Sequence, residues 1–108
     1  KPLNNLPNIF VGAITASAPA NTLCLTTTDA LVAANNDRVG LVVVNLSQGT
    51  IYLALSGHEA VLNKGIAISS SGGVWTMDDY TFNREKIQGI AHTTNSVVAI
   101  QEFTTFGG

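Results

Sequence analysis

The sequence predicts an all-β fold: a single β-sandwich, jelly-roll-like or Ig-like, of about eight short antiparallel strands with an extended N-terminal arm. Three observations lead there. Short runs rich in Val, Ile, Thr and aromatic residues recur along the chain. Turn signals built from Gly, Asn, Asp, Ser and Pro separate them at intervals of about eight to twelve residues. No segment sustains a helical period. At 108 residues the chain can bury one core and is too short for a second.

Residues 1–8, KPLNNLPN, hold two of the three prolines and show no periodicity, which predicts an extended arm ahead of a sandwich domain over 9–103 and a loose tail over 104–108. The run IFVGAIT at 9–15 predicts a first strand, and the turn around Pro19 follows it. In 22–27, TLCLTT, Leu23 and Leu25 alternate with Thr22, Cys24 and Thr26, a second strand. Asp29 could open a helical turn, but too few residues precede the Asn35-Asn36-Asp37 cluster, so a short strand over 31–34 is expected instead.

The next segment, NDRVGLVVVNLSQGTIYLAL at 36–55, carries only the charges of Asp37 and Arg38. It predicts a strand over 38–45, a turn over 46–49 and a strand over 50–55, together a β-hairpin. Ile51, Leu53 and Leu55 share one face, with Tyr52 and Ala54 on the other. The apolar residues are too dense for one buried face. In a chain this small, the expectation is an outer surface covered by another subunit. Strands over 66–69, 74–78, 87–92 and 96–103 complete the set, with turns at Ser69 to Gly73 and Thr93 to Asn95.

Charged residues make up 11% of the chain, against roughly 25% in ordinary soluble domains. The net charge is −2, and the five basic residues, Lys1, Arg38, Lys64, Arg84 and Lys86, are scattered, so no nucleic-acid footprint exists. No apolar run approaches the roughly eighteen residues that a membrane helix needs, and no membrane partner is expected. Cys24, the single cysteine, lies between Leu23 and Leu25 and reads as a small buried hydrophobe.

No residue pattern supports catalysis, a metal or a cofactor. His58 and His92 lack a third ligand at metal-binding spacing. Asp78, Asp79 and Glu85 in DDYTFNRE lack the alternating oxygen pattern of a calcium loop. The serines sit in no nucleophile elbow. Trp75 and Tyr80 flank these carboxylates and form a candidate sugar-stacking platform, although Trp75 as a core or contact residue is the plainer reading.

Several segments together carry a resemblance: Asn-x-Arg-Val-x-Leu-x-Val-x-Asn at 36–45, Ile-Tyr-Leu at 51–53, Gly-Ile-x-Ile at 65–68, the Gly-Gly turn at 72–73, Val-Trp-x-x-Asp at 74–78, and Ala-x-x-x-x-Ser-x-Val-x-Ile-x-Glu-Phe at 91–103. Over about two thirds of its length the chain resembles the small β-sandwich capsid decoration, cement or head-fibre proteins of tailed bacteriophages. The resemblance implies a virion protein on the capsid surface, a homo-oligomer, in the first instance a trimer, with the major capsid protein as its partner. Leu3 and Leu6 in the arm, Val42 and Val44 on the 38–45 strand and Tyr52 are the expected partner-binding residues. The alternative is a receptor- or glycan-binding domain of a phage tail or fibre, using Trp75 and Tyr80.

Overall fold

In the computed structural model, residues 14–105 are described. The predicted arm with Leu3 and Leu6, most of the predicted first strand and the last three residues of the predicted tail lie outside them. Among the described residues nine strands form: β1 (Ile14–Ala16), β2 (Ala20–Cys24), β3 (Asp29–Val32), β4 (Arg38–Asn45), β5 (Ile51–Ala54), β6 (Ile66–Ile68), β7 (Gly73–Thr76), β8 (Ile87–Ala91) and β9 (Ser96–Thr105). They build two antiparallel sheets. Sheet A has the order β1-β9-β4-β7, with β2 also pairing with β9; sheet B has the order β3-β8-β5-β6.

β1 and β2 both lie along β9, Ile14 opposite Thr105 and Ala20 opposite Ile100. They are two halves of one edge strand. The interruption falls at Ser17 to Pro19, where proline removes a donor that the ladder would need. Ser17 bridges the gap: its N–H donates to the Glu102 carbonyl at 2.7 Å and its Oγ accepts from the Glu102 N–H at 3.0 Å. Counted this way the sandwich has four strands in each sheet, in the double Greek-key order of a jelly roll.

The topology corrects the predicted hairpin. β4 belongs to sheet A and β5 to sheet B, so the chain between them turns a corner from one sheet to the other and the two strands do not pair. The Gly-rich turn after β6 and the Thr-Thr-Asn turn after β8 are likewise crossings between sheets. A turn signal marks where the chain changes direction, and the same residue types serve a hairpin and a sandwich corner.

Between the sheets lies a core of Leu41 and Val43 from β4, Ile51 and Leu53 from β5, Ile68, Ile87, Val98 and Cys24, each with at most 2% of its surface exposed. Burial of each large aliphatic side chain contributes about 1.5–3 kcal/mol. Two polar knots sit at the two ends of β4. At its first residue, Arg38 is fully buried. Its Nε donates to Glu102 Oε2 at 2.6 Å, its NH1 to the Asn83 and Glu85 carbonyls, and its NH2 to the Ala33 carbonyl. This joins three separate chain segments to β4.

At the last residue of β4, Asn45 is equally buried. Its amide donates to the Gly49 and Ile68 carbonyls at 2.8 and 2.9 Å, and its Oδ1 accepts from the Ser47 N–H and hydroxyl. The Gly72 N–H donates to the Asn45 carbonyl and the Ser71 N–H to the Ser47 carbonyl. The β4–β5 and β6–β7 corners are thus tied together. Asn45-Leu46-Ser47 matches a glycosylation acceptor, yet its asparagine side chain is inside the fold with its hydrogen bonds filled. No buried side-chain polar atom among the described residues lacks a partner.

Candidate interaction surface

The period of two that sends Leu41 and Val43 inward sends Val42 and Val44 outward on sheet A. Val42 stands between Gln101 of β9 and Thr76 of β7, and Val44 between Ala99 and Val74. On the other side of β9, Leu23 pairs with Val97. Val74 is 60% exposed and Leu23 49%, while Val42 and Val44 are half-buried by their neighbours alone. A shallow groove of about 200 Å³ runs between Pro19, Val42, Val44, Ala99 and Gln101. The interruption of the edge strand shapes one wall, since Gln101 Nε2 donates to the Ser17 carbonyl at 2.9 Å.

In the described strands of sheet A the charged residues are Arg38 and Glu102, and both turn inward to bond each other. The outer face of these described strands therefore carries no charge. Sheet B differs. Its outward residues Gln88 and Ile90 are 7% and 9% exposed, and the loop after β5 is fastened over Gln88. Thr28 Oγ1 donates to Gln88 Oε1 at 2.7 Å and accepts from the Ala60 N–H at 2.8 Å, and Gln88 Nε2 donates to the Gly57 carbonyl. Among the described residues no such cover crosses sheet A.

Tyr52 sits on the covered side, away from Val42 and Val44. Its hydroxyl donates to Asn63 Oδ1 at 3.0 Å, and its ring meets His92 edge-on with centroids 5.7 Å apart. Tyr52 thus helps pin the loop over sheet B. Trp75 points inward from β7 and packs against the core, whereas Tyr80 is 96% exposed on the turn that Asp78 caps. Asp78 Oδ1 accepts from the Thr81 hydroxyl and from the Thr81 and Tyr80 N–H groups. The Thr81 hydroxyl foremost, then these N–H groups, hold the Asp78 carboxyl below the usual carboxylate range.

Among the described residues no three His, Cys, Asp or Glu side chains gather to hold a metal ion. His58 is exposed on the loop over sheet B, and His92 is engaged by Tyr52. Burial, with a smaller contribution from the Asp29 charge, pushes the Cys24 thiol up to about 11. A thiol so placed stays protonated and unreactive at neutral pH.

No family model matches the chain, and no curated protein matches its sequence. Among solved structures, a protein of Bacillus endospore appendages, described as a novel family of disulfide-linked pili, superposes with a TM-score of 0.54 at 12% sequence identity, over 88% of this chain and 90% of that one. The likeness is one of fold. It spans nearly the whole length of both chains, so the shared feature is the complete sandwich and not a common motif within it.

Sequence reasoning placed Val42 and Val44 on an outward apolar face. It missed the burial of Arg38 and the loop that covers Tyr52. A signal for the first exists: Arg38 and Glu102 are lone charges in long apolar strands, a position more costly than a surface one unless the two meet.

Proposed function

We propose that the chain is a non-enzymatic structural subunit of an extracellular protein assembly, working by packing against other protein subunits. Its most specific form is the capsid decoration or cement role that the phage resemblance implies, in which a homo-oligomer bridges subunits of an assembled head. The observation that carries the reading is the outer face of sheet A, apolar, uncharged in its described strands and uncovered by the described residues, on a sandwich whose described buried polar side chains are all satisfied. Exposed apolar faces of this extent mark interaction sites. The fold likeness to a pilus protein supports a structural role and is independent of the phage resemblance.

The neighbour belongs to disulfide-linked pili. This chain has one cysteine, and one cysteine can join no more than two copies. Cys24 is also at the centre of the core. Assembly through the described residues therefore does not run through disulfides. The test is cosedimentation with isolated phage head shells, alongside negative-stain microscopy of the protein alone. Decorated shells or ordered assemblies are expected. A protein that stays dispersed and ignores shells, while hydrolysing a substrate or binding a glycan array, would overturn the reading.

A further inference from the structure

The structural role rests on surfaces meeting, and the outer face of sheet A carries features that select its occupant. We infer that this face is covered by the same face of a second copy of the chain, as a two-fold pair of sandwiches packed sheet on sheet. The inference rests on the structural reading above and names the partner of its surface.

Charge selects the occupant first. In a two-fold contact each residue near the axis meets itself or a close neighbour, so any charged side chain there opposes its own sign. The outer face of sheet A avoids this. Its middle is Leu23, Val42, Val44, Val74, Val97 and Ala99, and its polar groups, such as Thr76 and Gln101, are neutral. The two charges in the described strands, on Arg38 and Glu102, are turned into the sandwich. A partner of different chemistry is selected through complementary charge, and this face offers none.

Size and shape fit the same occupant. β9 runs ten residues along the face and four strands lie across it, counting β1 with β2 as one. At about 3.4 Å per residue and about 4.8 Å between strands, the face covers roughly 500 Å² per copy, and a pair buries roughly 1,000 Å², the size at which specific interfaces begin. Two such faces pack as the two sheets of one sandwich pack. Leu23 on the β2 edge and Val74 on the β7 edge stand exposed on either side of the groove between Pro19, Val42 and Ala99, so apolar side chains extend across the full width of the face. Sheet B cannot pair this way, because its own loop is fastened over Gln88.

This arrangement differs from the threefold one implied by the phage resemblance. Val44→Lys and Val44→Glu, prepared separately, test it by sedimentation equilibrium, with circular dichroism confirming that each folds. The wild type is expected as a pair, each variant as a monomer with association weakened at least a hundredfold, and an equimolar mixture as a mixed pair, since lysine then faces glutamate. Thr76→Lys, at an exposed edge position of the same face, is expected to weaken pairing should either Val44 variant fail to fold.

A wild-type monomer whose mass Val44→Lys leaves unchanged would overturn the pairing, and would mean that the chain's own residues 1–13 or another partner cover the face. A wild-type trimer would overturn it as well. Shell decoration by a monomer would sink the pairing and leave the structural role standing. A pair that assembles with nothing further would do the reverse.

Discussion

Glu102 Oε2 accepts from Arg38 Nε at 2.6 Å, and this contact takes the two charges of the described sheet A strands into the interior. The consequence appears on the opposite side of the same strands. With both charges inward, the outward positions of β4 and β9 are left to valine, alanine, glycine, phenylalanine, threonine and glutamine.

Because Arg38 is fully buried and holds one carboxylate and three carbonyls, its replacement strands all four acceptors. Arg38→Ala is expected to lower folding stability by about 3–5 kcal/mol. Arg38→Lys should recover little of this, since an ammonium cannot fork toward acceptors in different directions. Urea unfolding followed by tryptophan fluorescence measures both, with Trp75 as the reporter.

Asn45→Ala removes two donors from the Gly49 and Ile68 carbonyls and the acceptor for Ser47. A loss of about 2–3 kcal/mol is expected from the stranded groups. Enzymatic glycosylation at the Asn45-Leu46-Ser47 sequence should fail on the folded protein and proceed on the unfolded chain, read by mass.

Two glycines should separate cleanly. A Cβ at Gly73 would drive into the Ser69 backbone, so Gly73→Ala is expected to cost about 2–3 kcal/mol by overpacking. Gly57 has φ +75° with nothing within 4 Å of a Cβ, so Gly57→Ala should cost only the left-handed backbone penalty of about 1 kcal/mol. Thermal melts of the two variants rank them.

Cys24 gives a pH signature. The folded protein holds its thiol proton up to about 11, whereas an unburied thiol gives it up near 9.0. Above the unfolded value the unfolded chain releases a proton that the folded state keeps, so this contribution to stability is complete below pH 9 and falls as pH rises toward about 11. Cys24→Ala, although less stable through its lost volume, should flatten this part of the profile. Alkylation of Cys24 at pH 8 is expected to be slow in buffer and fast in urea.

These sites show how far the sequence was legible. The all-β class and the position of β4 followed from period and turn spacing, because one buried face imposes alternation on any strand. The partner of β4 did not follow. Asn45 to Thr50 reads locally as a hairpin turn, and only the bond from Asn45 to Ile68, twenty-three residues on, shows it to be a corner between sheets. Arg38 was legible as a charge and not as a buried one, since its match in Glu102 lies sixty-four residues away. The outward placement of Val42 and Val44 is legible because alternation alone sets which face a strand residue takes. Tyr52 looked the same by period, and the loop that covers it could not be anticipated from alternation.

The mass of the wild-type protein in solution tests most directly whether copies meet on the outer face of sheet A. Sedimentation velocity over a rising concentration series should show the 11.3 kDa chain moving as an assembly of copies, and Val44→Lys, folded to the same circular dichroism spectrum, moving as single chains. A wild-type protein that remains one chain at every concentration, with Val44→Lys indistinguishable from it, would contradict the claim that the uncharged face of sheet A is where copies of this protein meet.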